Sequence, residues 1–176
     1  MAPSLKVLAL DLSTRTGWAC GEPWGPPVGG VWKLGRMKRD GIGRCCSALA
    51  AALGAAIEAH APDLVIYEAP LPSHAKGIGR DTMVARLQYA LCGVTEMICL
   101  ECGGVTCEEA SADEARKLVF GRRLRGGSDE IKSTVYDWAV ASGFDPFDHN
   151  HADALVLLRY RHTLGRMRVM AGAGSA

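Results

Sequence analysis

The sequence has no charge excess, no long apolar run, no phosphate-loop signature and no internal repeat. Its 20 Lys and Arg stand against 19 Asp and Glu, which excludes a uniformly basic nucleic-acid coat. Any anion-binding surface must come from local clustering. No stretch approaches the ~20 apolar residues that a bilayer span needs. The opening MAPSLKVLALDLS holds an apolar stretch of only about six residues, closed by Asp11, too short for a secretory signal. No G-x-x-x-x-G-K-[ST] loop is found. A soluble, cytoplasmic chain is therefore expected, without a membrane partner and with its seven cysteines reduced. Cys99, Cys102 and Cys107 form a C-x2-C-x4-C pattern. No second half-site follows at finger-like spacing, and Cys99 and Cys102 fall in an apolar helix-like run. Buried free thiols are expected there rather than zinc.

What is present supports a packed core. Hydrophobic residues are 48% of the 176, and a chain of this size buries roughly 70% of its unfolded surface without metal or disulfide staples. LKVLALDL, residues 5–12, is apolar on both faces, as a covered central strand would be. A turn at 14–17 leads to a second strand starting at Trp18. The Gly/Pro-rich stretch 21–30 reads as a loop before a third strand, Val31 to Leu34. An Ala-rich helix over 41–60 precedes LVIYE, residues 64–68, a fourth strand stopped by Pro70 and Pro72. Residues 73–80 read as a flexible loop, 81–102 as a long helix, and Val105 to Glu108 as the fifth strand. Ser111 and Glu114 have capping-box spacing ahead of a helix to about Phe120. GRRLRGGS is a basic loop, and Ser128 is expected to cap the next helix. The last helix starts near Asn150 with ADALVLL, apolar nearly all round and so buried. Residues 1–168 read as one domain, and 169–176 as a disordered tail. The element order predicts an α/β fold with a mixed five-stranded sheet, three antiparallel strands then two parallel, flanked by helices on both faces.

Three acidic residues fall where charge is costly. Asp11 sits in the otherwise apolar first strand, Glu68 ends the fourth, and Asp153 lies in the first turn of the most apolar helix. Each alone reads as a cap or half of an ion pair. If the first and fourth strands are neighbours, however, Asp11 and Glu68 meet at their carboxyl ends and repel. A divalent cation removes that conflict, and oxygen-rich sites with several carboxylates suit Mg2+ or Mn2+. Asn150 shares a helix face with Asp153 and offers a neutral ligand. His149 and His151 lie close in sequence, and an imidazole can bind Mn2+ or carry a proton.

These segments together resemble the RuvC-type Holliday junction resolvases of the ribonuclease H-like superfamily. LALDLSTRTGWA is similar to the family's first-strand Asp motif, LVIYEAP to its fourth-strand Glu motif, and NHADALVLL to its C-terminal helix. The turn after Asp11 is one residue shorter than in the cellular enzymes, which implies the phage-like branch and a bacterial or phage-infected cell. The resemblance implies Asp11, Glu68 and Asp153 as metal-binding carboxylates holding two Mg2+ or Mn2+ ions, with Asp11 bridging. The family has a carboxylate or His where Asn150 stands, so the fourth ligand lies among Asn150, His151 and Asp148. ARKLVFG and IKSTV resemble the family's two basic motifs, which places Arg116 where a Lys is usual and Lys132 near the scissile phosphate.

The implied activity is junction resolution by paired nicking, leaving 5′-phosphate and 3′-hydroxyl ends, by a homodimer matched to a two-fold symmetric junction. Of the 20 basic residues 14 are arginine, suited to phosphate forks. Arg116, Lys117, Arg122, Arg123, Arg125 and Lys132 cluster as one DNA-contacting group, and Arg36, Lys38 and Arg39 form a second patch. The C-terminal arginines, Arg159 to Arg168, can be set on DNA or away from it. Helix 81–102 has apolar surface enough for a dimer contact. Other readings share some of these features. A nuclease acting on forks, flaps or RNA would use the same residues, and a non-catalytic branched-DNA-binding module would explain Asn150. An actin-like kinase shares the DLSTRTG turn but needs a second, similar domain.

Overall fold

The computed structural model describes residues 5–70 and 82–173. Its elements are β1 (Val7–Asp11), β2 (Arg15–Gly21), β3 (Val28–Lys33), α1 (Met37–His60), β4 (Leu64–Glu68), α2 (Thr82–Glu101), β5 (Thr106–Ala110), α3 (Ala112–Phe120), α4 (Ser128–Ala141) and α5 (His149–Ala173). The sheet order is β3-β2-β1-β4-β5. β1, β2 and β3 pair antiparallel, while β4 runs parallel to β1 and β5 parallel to β4. This is the mixed five-stranded sheet predicted from the element order.

β1 sits at the centre, and its residues alternate between two cores. Leu8 and Leu10 face one cluster with Leu49, Leu53, Leu87 and Leu91 of α1 and α2. Val7 and Ala9 face the other, with Val135 of α4 and Leu155 and Val156 of α5. A strand covered on both faces has no polar position to spare, which explains the unbroken apolar run. Each fully buried Leu or Val contributes about 1.5–3 kcal/mol. α1 and α2 are also long and apolar enough to cross a membrane by length and composition, although no unbroken apolar run marks them. Each sets one face into the sheet-side core.

Several boundaries differ from the sequence expectation, each for a local reason. β2 starts at Arg15 rather than Trp18, because the turn is shorter than expected. Thr16, fully buried, donates its hydroxyl to the Ser13 carbonyl at 2.8 Å and closes the chain reversal early. β3 begins at Val28, so Gly29 and Gly30 are ladder residues rather than loop. α4 is capped by Gly127, not Ser128: the Gly127 N–H donates to Glu130 Oε2 at 2.9 Å. At α3 the Ser111 hydroxyl does accept from the Glu114 N–H, at 3.4 Å. α5 extends to Ala173, past the expected start of the tail; residues 174–176 and the expected flexible loop 73–80 lie outside the described residues. Of the three spaced cysteines, Cys99 is buried and Cys107 half-buried. Cys102 is exposed, contrary to expectation, because it follows the last helical turn of α2.

Candidate active site

Parallel pairing of β1 with β4 sets Leu10 opposite Tyr67, so the next residues, Asp11 and Glu68, emerge side by side at the carboxyl ends. They line a small cavity of about 40 Å³ with Leu12, Ala69, Pro70, Gln88 and Cys92. The third carboxylate comes from the other end of the sequence. Asp11 is paired in register with Gly17 across β2. A Cβ on Gly17 would collide with the Asn150 carbonyl, so only glycine lets the first turn of α5 come down onto the sheet there. The same is true one strand out, where a Cβ on Gly29 would strike His151 Nε2. These two close approaches set the depth at which α5 delivers Asp153.

A closed set of hydrogen bonds fixes the start of that helix. Asp148 Oδ1 accepts from the Asn150 N–H at 3.0 Å and the His151 N–H at 3.1 Å, as an N-cap does. Asp148 Oδ2 pairs with Arg15 Nη2 at 2.6 Å. Asn150 Nδ2 then donates to the Arg15 carbonyl at 2.8 Å, which completes the ring. Burial pushes the Asp148 carboxyl up, but the Arg15 bond and the two backbone N–H groups outweigh it and hold it below the usual range.

Asp153 Oδ1 accepts from Arg116 Nη2 at 2.8 Å, with the two side chains only 11% and 20% exposed. The electrostatics of Asp11 report the whole cluster. Burial raises its carboxyl well above the ordinary value, the charges of Glu68 and Asp153 raise it further, and Arg116 and Lys132 oppose them. The like-charge conflict expected from the sequence is therefore present. Five groups from five elements (Asp11, Glu68, Arg116, Lys132 and Asp153) share one electrostatic site.

The neighbours on α5 take other places. His151 is buried against Gly29, and its Nδ1 accepts from the Phe147 N–H at 3.1 Å; burial lowers its pKa. His149 Nδ1 lies 3.3 Å from the Lys132 carbonyl oxygen, with its ring edge-on to Tyr136. Asp148 caps the helix. Asn150 has its amide nitrogen tied to Arg15, which leaves Oδ1 as its ligand atom. Lys117, Arg122, Arg123 and Arg125 are exposed, and Arg123 pairs with Asp113 at 2.9 Å. Arg122, Arg123 and Arg125 line an open depression with Leu124 and Thr134. Arg36, Lys38 and Arg39 are exposed beside the start of α1, and Arg39 pairs with Asp40.

Sequence reasoning overlooked Arg15, Gly17, Gly29 and Gln88. Arg15 and Gly17 lie in the D-L-S-T-R-T-G segment, but their work is to seat α5, and their partners lie about 130 positions away. Arg116, expected as a DNA contact, reaches inward to Asp153.

The donors match a hard divalent cation in kind: three carboxylates and one free amide oxygen. Their mutual repulsion is the potential such an ion relieves. Among the described residues, however, no three Asp, Glu, His or Cys side chains are drawn close enough to share one ion, and Arg116 holds Asp153.

A central strand ending in Asp, an adjacent parallel strand ending in Glu, and a final helix returning an Asp to them belong to a fold shared with solved RuvC structures. Thermus thermophilus RuvC is similar with a TM-score of 0.68 and 16% identity, covering 93% of this chain and 96% of that one. The T. thermophilus RuvC in complex with Holliday junction substrate gives 0.72 and 18%, with the same coverage. The yeast mitochondrial Holliday junction resolvase Ydc2 gives 0.54 and 13%, covering 97% of this chain and 85% of that one. No family model and no curated protein matches in sequence.

Proposed function

We propose that this chain is a metal-dependent endonuclease that resolves four-way DNA junctions by paired nicking, leaving 5′-phosphate and 3′-hydroxyl ends. The observation that carries this reading is that Glu68 and Asp153 act on the charge of buried Asp11 at the carboxyl end of the central strands, with Arg116 paired to Asp153. The junction substrate comes from the similar solved structures, two of which are RuvC and one a mitochondrial resolvase. The short turn after Asp11 favours the phage-like branch.

Asp11, Glu68, Asp153 and Asn150 Oδ1 would hold Mg2+ or Mn2+, with two ions expected. Bound there, the ions would activate water and neutralise charge at phosphorus and on the leaving oxygen. The chain's own part is to aim and to exclude. The Gly17 and Gly29 contacts and the Asp148 cap hold α5 in place. Lys132, exposed and close enough for its charge to act on Asp11, would neutralise a non-bridging phosphate oxygen. Arg122, Arg123, Arg125 and Lys117 would follow the DNA backbone by shape. A homodimer suits the junction's two-fold symmetry. Tyr89, Met97 and Leu100, exposed on α2, favour that helix as its contact.

The test is cleavage of a labelled four-way junction with Mg2+ or Mn2+ beside matched duplex, fork and flap. Symmetric paired nicks on the junction alone, lost in Asp11→Asn, are expected. Preference for forks or flaps would move the substrate. Tight junction binding without cutting under either metal would replace the enzyme by a binding module.

A further inference from the structure

Arg116 lies in the negative well that the three carboxylates create. Its guanidinium donates to Asp153 Oδ1 at 2.8 Å, mostly buried, and also feels the charges of Glu68 and Asp11. A guanidinium cannot be neutralised by losing a proton. A divalent ion that takes Asp153 through Oδ1, the oxygen Arg116 holds, must therefore displace it, since two cations at one carboxylate oxygen repel. Among the described residues, the groups that act on the charge of Asp11 are Glu68 and Asp153 on one side and Arg116 and Lys132 on the other. Removing Arg116 without replacement would leave Asp153 part-buried and unpaired, which is costly. The displaced group must also find another anion.

We propose that Arg116 is an exchangeable counter-ion. It holds Asp153 in the metal-free chain and passes to a substrate phosphate when a divalent ion takes its place. Arg116 is thus a positioning residue for Asp153 before it meets DNA. The inference rests on the metal-dependent nuclease reading above.

Mn2+ binding to the full chain without DNA, followed by loss of the free-ion electron paramagnetic resonance signal, tests it. Arg116→Gln is expected to bind Mn2+ about tenfold tighter than wild type, yet to cut junctions more slowly. Arg116→Lys, which keeps a charge, is expected to lie between the two. Arg166→Gln, whose arginine sits over Trp24, is expected to match wild type. Equal Mn2+ affinity in Arg116→Gln and wild type, lost in both with Asp153→Asn, would overturn the exchange and leave the metal reading standing. No Mn2+ binding in any variant would overturn both. Should Arg116→Gln fail to fold, the wild-type chain carries the test. Its Arg116 guanidinium N–H resonances, slowed in exchange by the ion pair, should collapse on saturation with Mg2+. Their persistence through saturation would refute the displacement.

Discussion

Replacing Asp11 by Asn removes one of three mutually repelling charges while keeping size and shape. Two effects of opposite sign are expected. Junction cleavage falls by at least 10²-fold, while junction binding in a gel-shift assay stays within about twofold. Stability in chelator rises. The Asp11 carboxyl is raised by burial, Glu68 and Asp153, so the folded chain holds its proton to higher pH than the unfolded one. The wild-type chain therefore loses stability as pH climbs from the ordinary carboxylate range, near 4, through the raised value. Urea midpoints between pH 4 and 8 check this: the decline attributable to residue 11 should vanish in Asp11→Asn. Gly17 gives a second prediction. Its missing side chain admits the Asn150 carbonyl, so Gly17→Ala should cost about 1–3 kcal/mol by chemical denaturation. It should also depress cleavage, because α5 carries Asp153.

At the level of elements, α5 depends on its first turn. Asp148→Ala removes the acceptor for two helix N–H groups and the partner of Arg15. A loss of about 1–2 kcal/mol is expected from the cap. The sign of its pH dependence is opposite to that of Asp11. The folded Asp148 carboxyl is held below its usual range, so its stabilisation is present above pH ~4 and lost as pH falls through the lowered value. Thermal melts of wild type and Asp148→Ala should converge toward acid. These elements also show what was legible in the sequence. The apolar runs at 7–10 and 64–67 and the carboxylate ending each run revealed the central strands and two of the three acids, because burial on both faces leaves a strong pattern. ADALVLL revealed the buried helix for the same reason. The roles of Arg15, Gly17 and Gly29 were not legible. Their contacts are with residues more than a hundred positions away, and glycine reads locally as a turn whether or not a helix rests on it. Gly127 displaced Ser128 as a cap because Glu130 reaches back to its N–H, a choice that local propensity does not decide.

For the molecule as a whole, the balanced total charge means that, on the proposed function, DNA affinity would come from local clusters such as the exposed Arg122, Arg123 and Arg125. Replacing Arg122 and Arg125 together by Gln should weaken junction binding similarly across sequences. It should also flatten the slope of log affinity against log salt by about 2. The proposed homodimer gives a last prediction: Leu100→Glu, on the exposed face of α2, should shift sedimentation toward the monomer and leave the melting temperature nearly unchanged. The route of the chain through the site has a further consequence. Asp11 and Glu68 are made early, but Asp153 follows Glu68 by 85 residues, a lag of roughly 4–17 s on the ribosome. α5 also supplies much of one core, with Ala152, Leu155, Val156 and Leu157. A nascent chain that has not yet released α5 lacks both the third acid and the packing beneath it. On the proposed function, the cell is spared a half-made nuclease: the catalytic set is completed by the same late helix that completes the core.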